Sequence, residues 1–277
     1  MRNTLFFMFF AVILLSMVQG CSKDHGDPPV LPPAATMNID FSNFEPGNKS
    51  GQEEFLTKGT ETSTWDFTAG TALIWRAIIH VTLGVPVKTY QLAANSNPEY
   101  TGNDTWEWNY DATITIDQIT VTYSARLTGQ VRSDDVLWKM FISKEGAGEF
   151  EEFLWFEGTS ARDGSSGQWI LYESYQNQVP LLQIDWTRSG NSVTKIKYTY
   201  IKAGNPFANS YIEYVLITGP YDAYFDIHFY HATFLQFYDL RIEWNIAGRN
   251  GRVRCENHFG DDAWYCWDSN RLNTTCP

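Results

Sequence analysis

From Asn103 onward the chain alternates apolar and polar residues, the period of a β-strand with one buried face. Trp106, Trp108 and Tyr110 alternate, as do Ile119, Val121, Tyr123, Ala125 and Leu127. The pattern recurs at Trp138, Met140 and Ile142, at Phe153 and Trp155, at Trp169 and Leu171, and at Ile184 and Trp186. It continues at Ile196, Tyr198 and Tyr200, then through residues 211–217, 224–230 and 240–246. Turn-forming positions separate the runs: Gly146 and Gly148, Gly164 and Gly167, Gly190-Asn191, Gly204-Asn205, Gly248 and Gly251. About ten strands on short connections predict an antiparallel meander, and a sheet that large must curl or close.

The texture differs before residue 103. Met37, Ile39, Phe41 and Phe44 alternate with Asn38, Asp40 and Ser42, which predicts a strand within 36–47. Residues 48–64 are polar and read as a surface loop. Over 65–94 the alternation stops. Ala69, Ala72, Leu73, Trp75, Ile78, Ile79, Leu83 and Val85 fall at three-and-four spacing, which predicts a largely buried helix. Gly84 and Pro86 should interrupt it, with a resumption through Leu92. Arg76 and His80, four apart, share one face. The expected fold is mainly β: a curved sheet or open barrel with one N-terminal helix on its concave face. No solenoid or propeller period is present.

The first residues set an expected address. Arg2 precedes an apolar stretch over 5–18, followed by Gln19-Gly20-Cys21. This reads as a signal peptide over 1–20 ending at a lipoprotein cleavage site, with acyl chains on Cys21. The stretch is short for a membrane span. Val18-Gln19-Gly20 lacks the leucine usual three residues before the cysteine, so an ordinary secretory signal is the rival reading. Pro28, Pro29, Pro32 and Pro33 lie in a spacer over 21–35, expected as a semi-rigid tether to a single β-rich domain over 36–277. Several acyl chains would hold the chain in a membrane of a bacterial envelope, each buried methylene contributing about 0.8 kcal/mol.

Composition supports a large core, with 43% hydrophobic residues including 11 Trp, 15 Tyr and 18 Phe. The net charge of −12 argues against a nucleic-acid partner, because phosphate backbones are repelled. Beyond Cys21 three cysteines remain, Cys255, Cys266 and Cys276, in a compartment where disulfides persist. One pair can form. Cys266–Cys276 would staple the tail to the last strand, and Cys255–Cys266 across a hairpin is the rival. A zinc site that also recruits His258 is a third reading, weakened by the lack of a close cysteine pair.

Several stretches together carry a resemblance. They are residues 37–44, Trp75 running into Val85-Pro86-Val87, Thr105-Trp106-Glu107-Trp108-Asn109-Tyr110 and Phe153-Leu154-Trp155. Residues 163–169, Gly251-Arg252-Val253, His258-Phe259-Gly260 and Cys266-Trp267-Asp268 before Cys276 complete the set. The ensemble resembles a group of envelope lipoproteins of Bacteroidota-type bacteria to which no activity is attached. Ser22-Lys23-Asp24-His25-Gly26-Asp27 likewise resembles the surface-export signal of such lipoproteins. The resemblance implies an outer-membrane, cell-surface address. It also favours the Cys266–Cys276 pairing, with Cys255 a local addition. It implies no reaction and no cofactor.

Candidate chemistry is sparse. Asp226 and His228, two apart, share a strand face, and Asp239, Arg241 and Glu243 alternate on the next strand. Asp226, His228 and Glu243 could bind a metal or transfer protons, although a solvated sheet face explains the same residues. Residues 163–167 read as a hairpin loop, because a strand pattern follows where a serine-hydrolase motif needs a helix. Asp261-Asp262 lacks the spacing of a calcium loop and reads as a turn. The aromatic excess suits core packing or a platform for sugars and apolar ligands. Three functions follow in order: non-enzymatic binding of a lipid, sugar or peptide in a cavity lined by Trp and Tyr; a structural or protein-interaction role; and hydrolysis at Asp226, His228 and Glu243.

Overall fold

The computed structural model describes residues 25–45, 62–116 and 119–277. The signal segment, Cys21 and most of the loop expected over 48–64 lie outside the described residues. The mainly-β architecture is as the periodicity predicts. Fourteen antiparallel strands form one open sheet, each paired with its neighbours in sequence. They are β1 (Glu99–Gly102), β2 (Thr105–Ile116), β3 (Ile119–Val131), β4 (Asp135–Lys144), β5 (Phe150–Ala161), β6 (Ser166–Tyr172) and β7 (Pro180–Ser189). The second half holds β8 (Ser192–Tyr200), β9 (Tyr211–Leu216), β10 (Ala223–His231), β11 (Gln236–Trp244), β12 (Gly251–Arg254), β13 (Tyr265–Trp267) and β14 (Asn273–Thr274). The ten strands legible as alternation are β2–β11. The four others, β1, β12, β13 and β14, are strands of two to four residues at the two ends of the sheet, too brief to show a period.

Alternation sends one face of every long strand inward. Trp138, Phe156, Trp169, Trp186, Tyr198, Phe225 and Trp267 are fully buried on the concave side. The convex side is polar, with hydroxyl pairs such as Thr113–Thr122 and Thr115–Thr120 at 2.9 Å. A register rule accommodates the large rings. Gly129 lies opposite Trp138, Gly158 opposite Trp169, Gly167 opposite Trp186 and Gly251 opposite Trp267. Each indole lies over the cross-strand glycine, which a side chain would displace. A Cβ on Gly158 would sit 2.6 Å from Trp169 Cε3 and against the Gln168 carbonyl oxygen. Gly158→Ala is therefore expected to cost about 2–3 kcal/mol, through overpacking against a backbone atom that cannot move aside. A lowered denaturant midpoint measures it. An unchanged midpoint would mean that the glycine–indole contact is looser than described.

Residues 36–45 do not form the expected strand. They make two 3-10 turns, Ala34–Met37 and Ser42–Phe44, joined by extended backbone. The alternation is real, since Met37, Ile39, Phe41 and Phe44 are buried in the core. The segment lies against the concave face without joining the ladder. Prolines just upstream cannot donate ladder hydrogen bonds, which disfavours pairing. The proline spacer is itself partly seated. Leu31 and Ala34 pack on the core, and the Tyr90 hydroxyl donates to the Pro32 carbonyl at 2.7 Å.

The helix α1 (Ser63–Ala93) is continuous through Gly84 and Pro86. Pro86 removes one backbone bond, a cost of about 3 kcal/mol in an isolated helix. Here it lies on the buried face, where Leu83 and Tyr90 are packed as well. Trp65, Ala69, Ala72, Ile79, Leu83, Pro86, Tyr90 and Ala93 form that face. The helix touches β2 and β3 at one side of the sheet and β12, β13 and β14 at the other. The sheet thus curls back toward its start, and α1 spans the opening.

Cys266 and Cys276 form a disulfide, with Cα atoms 5.2 Å apart, which ties the C-terminal tail to β13. Neither the Cys255–Cys266 pairing nor the zinc reading holds. Cys255 is a buried free thiol, and His258 stacks on Phe67 of α1 at 3.7 Å. Burial pushes the Cys255 pKa up, so the thiolate is scarce at pH 8. Native protein should leave Cys255 unalkylated, denaturant should expose that thiol, and reduction should then expose Cys266 and Cys276. Mass spectrometry reads each step, and rapid native alkylation of Cys255 would contradict its burial.

Candidate functional site

The two departures from the expected fold together form a groove. The turn segment presents its alternate side chains outward: Asn38, Asp40, Ser42 and Glu45 are exposed. Asp40 Oδ1 accepts the Ser42 backbone N–H at 2.8 Å, which fixes the turn. Helical periodicity places Arg76, His80, Lys88 and Gln91 along the facing flank of α1. Between them lies a groove of about 440 Å³. Ile39, Phe41, Ile79, Leu83 and Val87 supply its apolar lining. The volume falls within the range of small-molecule sites.

Both charge signs line the rim. Arg76 Nη1 lies 2.8 Å from Glu45 Oε1, and both side chains are about half exposed. Such a pair contributes little to stability, about 1 kcal/mol or less. Lys88 has no ion-pair partner among the described residues. Gly84 leaves the wall open beside His80, with a hypothetical Cβ 3.8 Å from the imidazole carbon. The Arg76–His80 pairing on one helix face is legible in sequence. The contribution of Asp40 and Glu45 is not, because the 36–47 pattern reads as a strand.

The tryptophans and tyrosines expected to line a cavity instead fill the core. Trp138, Trp169, Trp186 and Tyr198 are packed, and among the described residues no Trp or Tyr lines the groove.

Asp226, His228 and Glu243 stand on the convex face of adjacent strands, as the two-residue spacing predicts. Asp226 lies opposite Arg241 and His228 opposite Asp239. His228 Nδ1 is 2.6 Å from Asp239 Oδ1, and its ring stacks on Phe237 at 4.3 Å. Tyr211 donates to Asp226 at 3.3 Å. Burial, followed by the Asp226 charge, pushes the Tyr211 pKa up to about 12. Glu243 is held separately, by Arg241 at 3.2 Å and Arg252 at 2.7 Å. Arg241 also lies over the Tyr224 ring at 3.2 Å. The three residues thus belong to a ladder of local pairs, with Glu243 engaged apart from Asp226 and His228. Among the described residues, no three His, Cys, Asp or Glu side chains are arranged to hold a metal ion. Comparison with protein-family models, curated proteins and solved structures finds no match to this chain.

Proposed function

We propose that this protein is a lipid-anchored component of a bacterial outer membrane that binds a ligand without transforming it. The groove between the turn segment and α1 is the binding site. One observation carries the reading: an apolar floor of Ile39, Phe41, Leu83 and Val87 lies beneath a rim bearing Asp40, Glu45, Arg76 and Lys88. An apolar floor with both charge signs on the rim suits a short peptide or another zwitterionic amphiphile better than a neutral lipid. The anchor rests on Arg2, the apolar stretch over 5–18 and Cys21 in the sequence. Surface exposure rests on the resemblance of residues 22–27 to an export signal. Hydrolysis is less favoured. Asp226, His228 and Glu243 are spread along a polar sheet face, engaged by Tyr211, Asp239 and two arginines, and do not converge in a cleft.

Native mass spectrometry of the protein purified from its own host's envelope tests the reading. The expected result is a co-purifying mass that leaves on denaturation and is lost in Gly84→Leu, whose side chain fills the groove. A clean unliganded mass from the parent chain, or a ligand retained by a folded Gly84→Leu, would overturn it.

A protein-interaction role has one supporting observation. The β10–β11 hairpin tip exposes Phe234 and Leu235, and Leu235 adopts a left-handed backbone at φ 53°. A bulky residue in that conformation costs about 1–2 kcal/mol, so neither its backbone nor its burial explains its presence.

A further inference from the structure

We infer that the exposed stripe of α1 lies in the plane of the bilayer to which the chain is anchored. The inference rests on the lipid-anchor reading. Ile74, Ala77, Ile78 and Val81 lie at i, i+3, i+4 and i+7, so they form one face, opposite Ala72, Ile79, Leu83 and Tyr90. Val81 is 85% exposed, Ile74 63% and Ile78 52%. Along α1 an eighteen-residue stretch is long and apolar enough to cross a membrane by length and composition, yet most of it is not buried against the described residues. The described residues leave this apolar stripe uncovered. Trp65 near one end of α1 and Tyr90 near the other are fixed in the core, so the helix cannot leave the sheet to cross a bilayer. It can lie along one, with its apolar face among the acyl chains.

Charge is compatible with a lipid surface. The whole chain carries −12, but the formal charge that continues the stripe is Lys88, seven residues after Val81 on the same helix face; Arg76 lies on the groove side, paired with Glu45. A cation beside an apolar stripe suits anionic headgroups.

The chain's path supplies the third argument. Cys21 precedes His25 by four residues, a span of at most about 14 Å. The His25 ring stacks on Tyr100 of β1 at 3.9 Å. β1 begins a few residues after α1 ends. The anchor therefore holds the bilayer close to the C-terminal end of the same helix.

The test uses the full chain, acylated in its host and reconstituted into vesicles of phosphatidylethanolamine with a minority of phosphatidylglycerol. Val81→Cys is labelled with a membrane-impermeant maleimide, and Gln178→Cys, on the exposed β6–β7 loop, serves as the solvent reference. Cys255 is buried and Cys266–Cys276 is oxidised, so the introduced thiol is the reactive one. Docking predicts labelling at position 81 roughly tenfold or more slower than at 178, the factor expected for burying one apolar side chain. Equal rates on a chain whose mass carries acyl groups would overturn docking and leave the anchor standing. A chain without acyl mass would remove the anchor and this inference with it. An oxidised dimer through the thiol at position 81 would assign the stripe to a second copy and overturn the lipid reading.

Discussion

Trp169→Ala is expected to lower the free energy of unfolding by about 3–5 kcal/mol, the usual cost of removing a fully buried indole. Trp169 is completely buried near the middle of the curved sheet. Its ring meets Phe156 edge-on at 5.6 Å and lies near Trp186 at 6.3 Å. Its Nε1–H donates to Thr36 Oγ1 at 3.2 Å, and the Thr36 hydroxyl donates in turn to the Pro33 carbonyl at 2.8 Å. The indole therefore holds the N-terminal turn segment as well as the sheet. Removal leaves a cavity above Gly158, which has no side chain to fill it. Guanidinium unfolding measures the loss, with Trp155→Ala as a half-buried reference that should cost much less. Equal costs at the two positions would contradict the packed interior.

The second large effect is alkaline unfolding. Burial raises the Tyr90 and Tyr198 pKa values well above the ordinary phenol value; the nearby Tyr110 adds to the first, and the Ile39 amide slightly offsets the second. A phenol is neutral below its pKa, and only the neutral form is compatible with these sites. The folded-state value exceeds the unfolded value near 10, so the contribution is fully present below about pH 10 and is lost as pH rises above it. Each fully buried tyrosine then removes about 1.4 kcal/mol of stability per pH unit, so the pair gives a steep decline. Circular dichroism and tyrosinate absorbance should change together in one transition above pH 10. Tyr90→Phe should lower stability at neutral pH, through loss of the bond to Pro32, while flattening the alkaline slope. Tyrosinate forming well before the fold is lost would show that these hydroxyls reach solvent.

Much of the architecture was legible because it follows local periodicity. Strands β2–β11 announce themselves by alternation, and α1 by three-and-four spacing. The misreadings share one cause. Alternation over 36–47 reports which side chains are buried and cannot report whether the backbone has a ladder partner. Pro86 reads as a helix break because its local cost is real, while the packing around Leu83 and Tyr90 that offsets it comes from distant parts of the chain. The same limit hid half of the groove. Arg76 and His80 share a helix face by spacing alone, but Asp40 and Glu45 reach them only because the turn segment lies beside the helix.

The sequence by itself determined a mainly-β chain, its turns, a large aromatic core, an apolar N-terminal stretch over 5–18 followed closely by Cys21, and the spacing that puts Asp226 and His228 on one strand face. These depend on residue type and short-range period. The tertiary structure decided which glycine lies under which tryptophan, which cysteine stays free, and which face of α1 is left bare. Register, curvature and closure arise from contacts between residues far apart in the chain, and a local period carries no record of them.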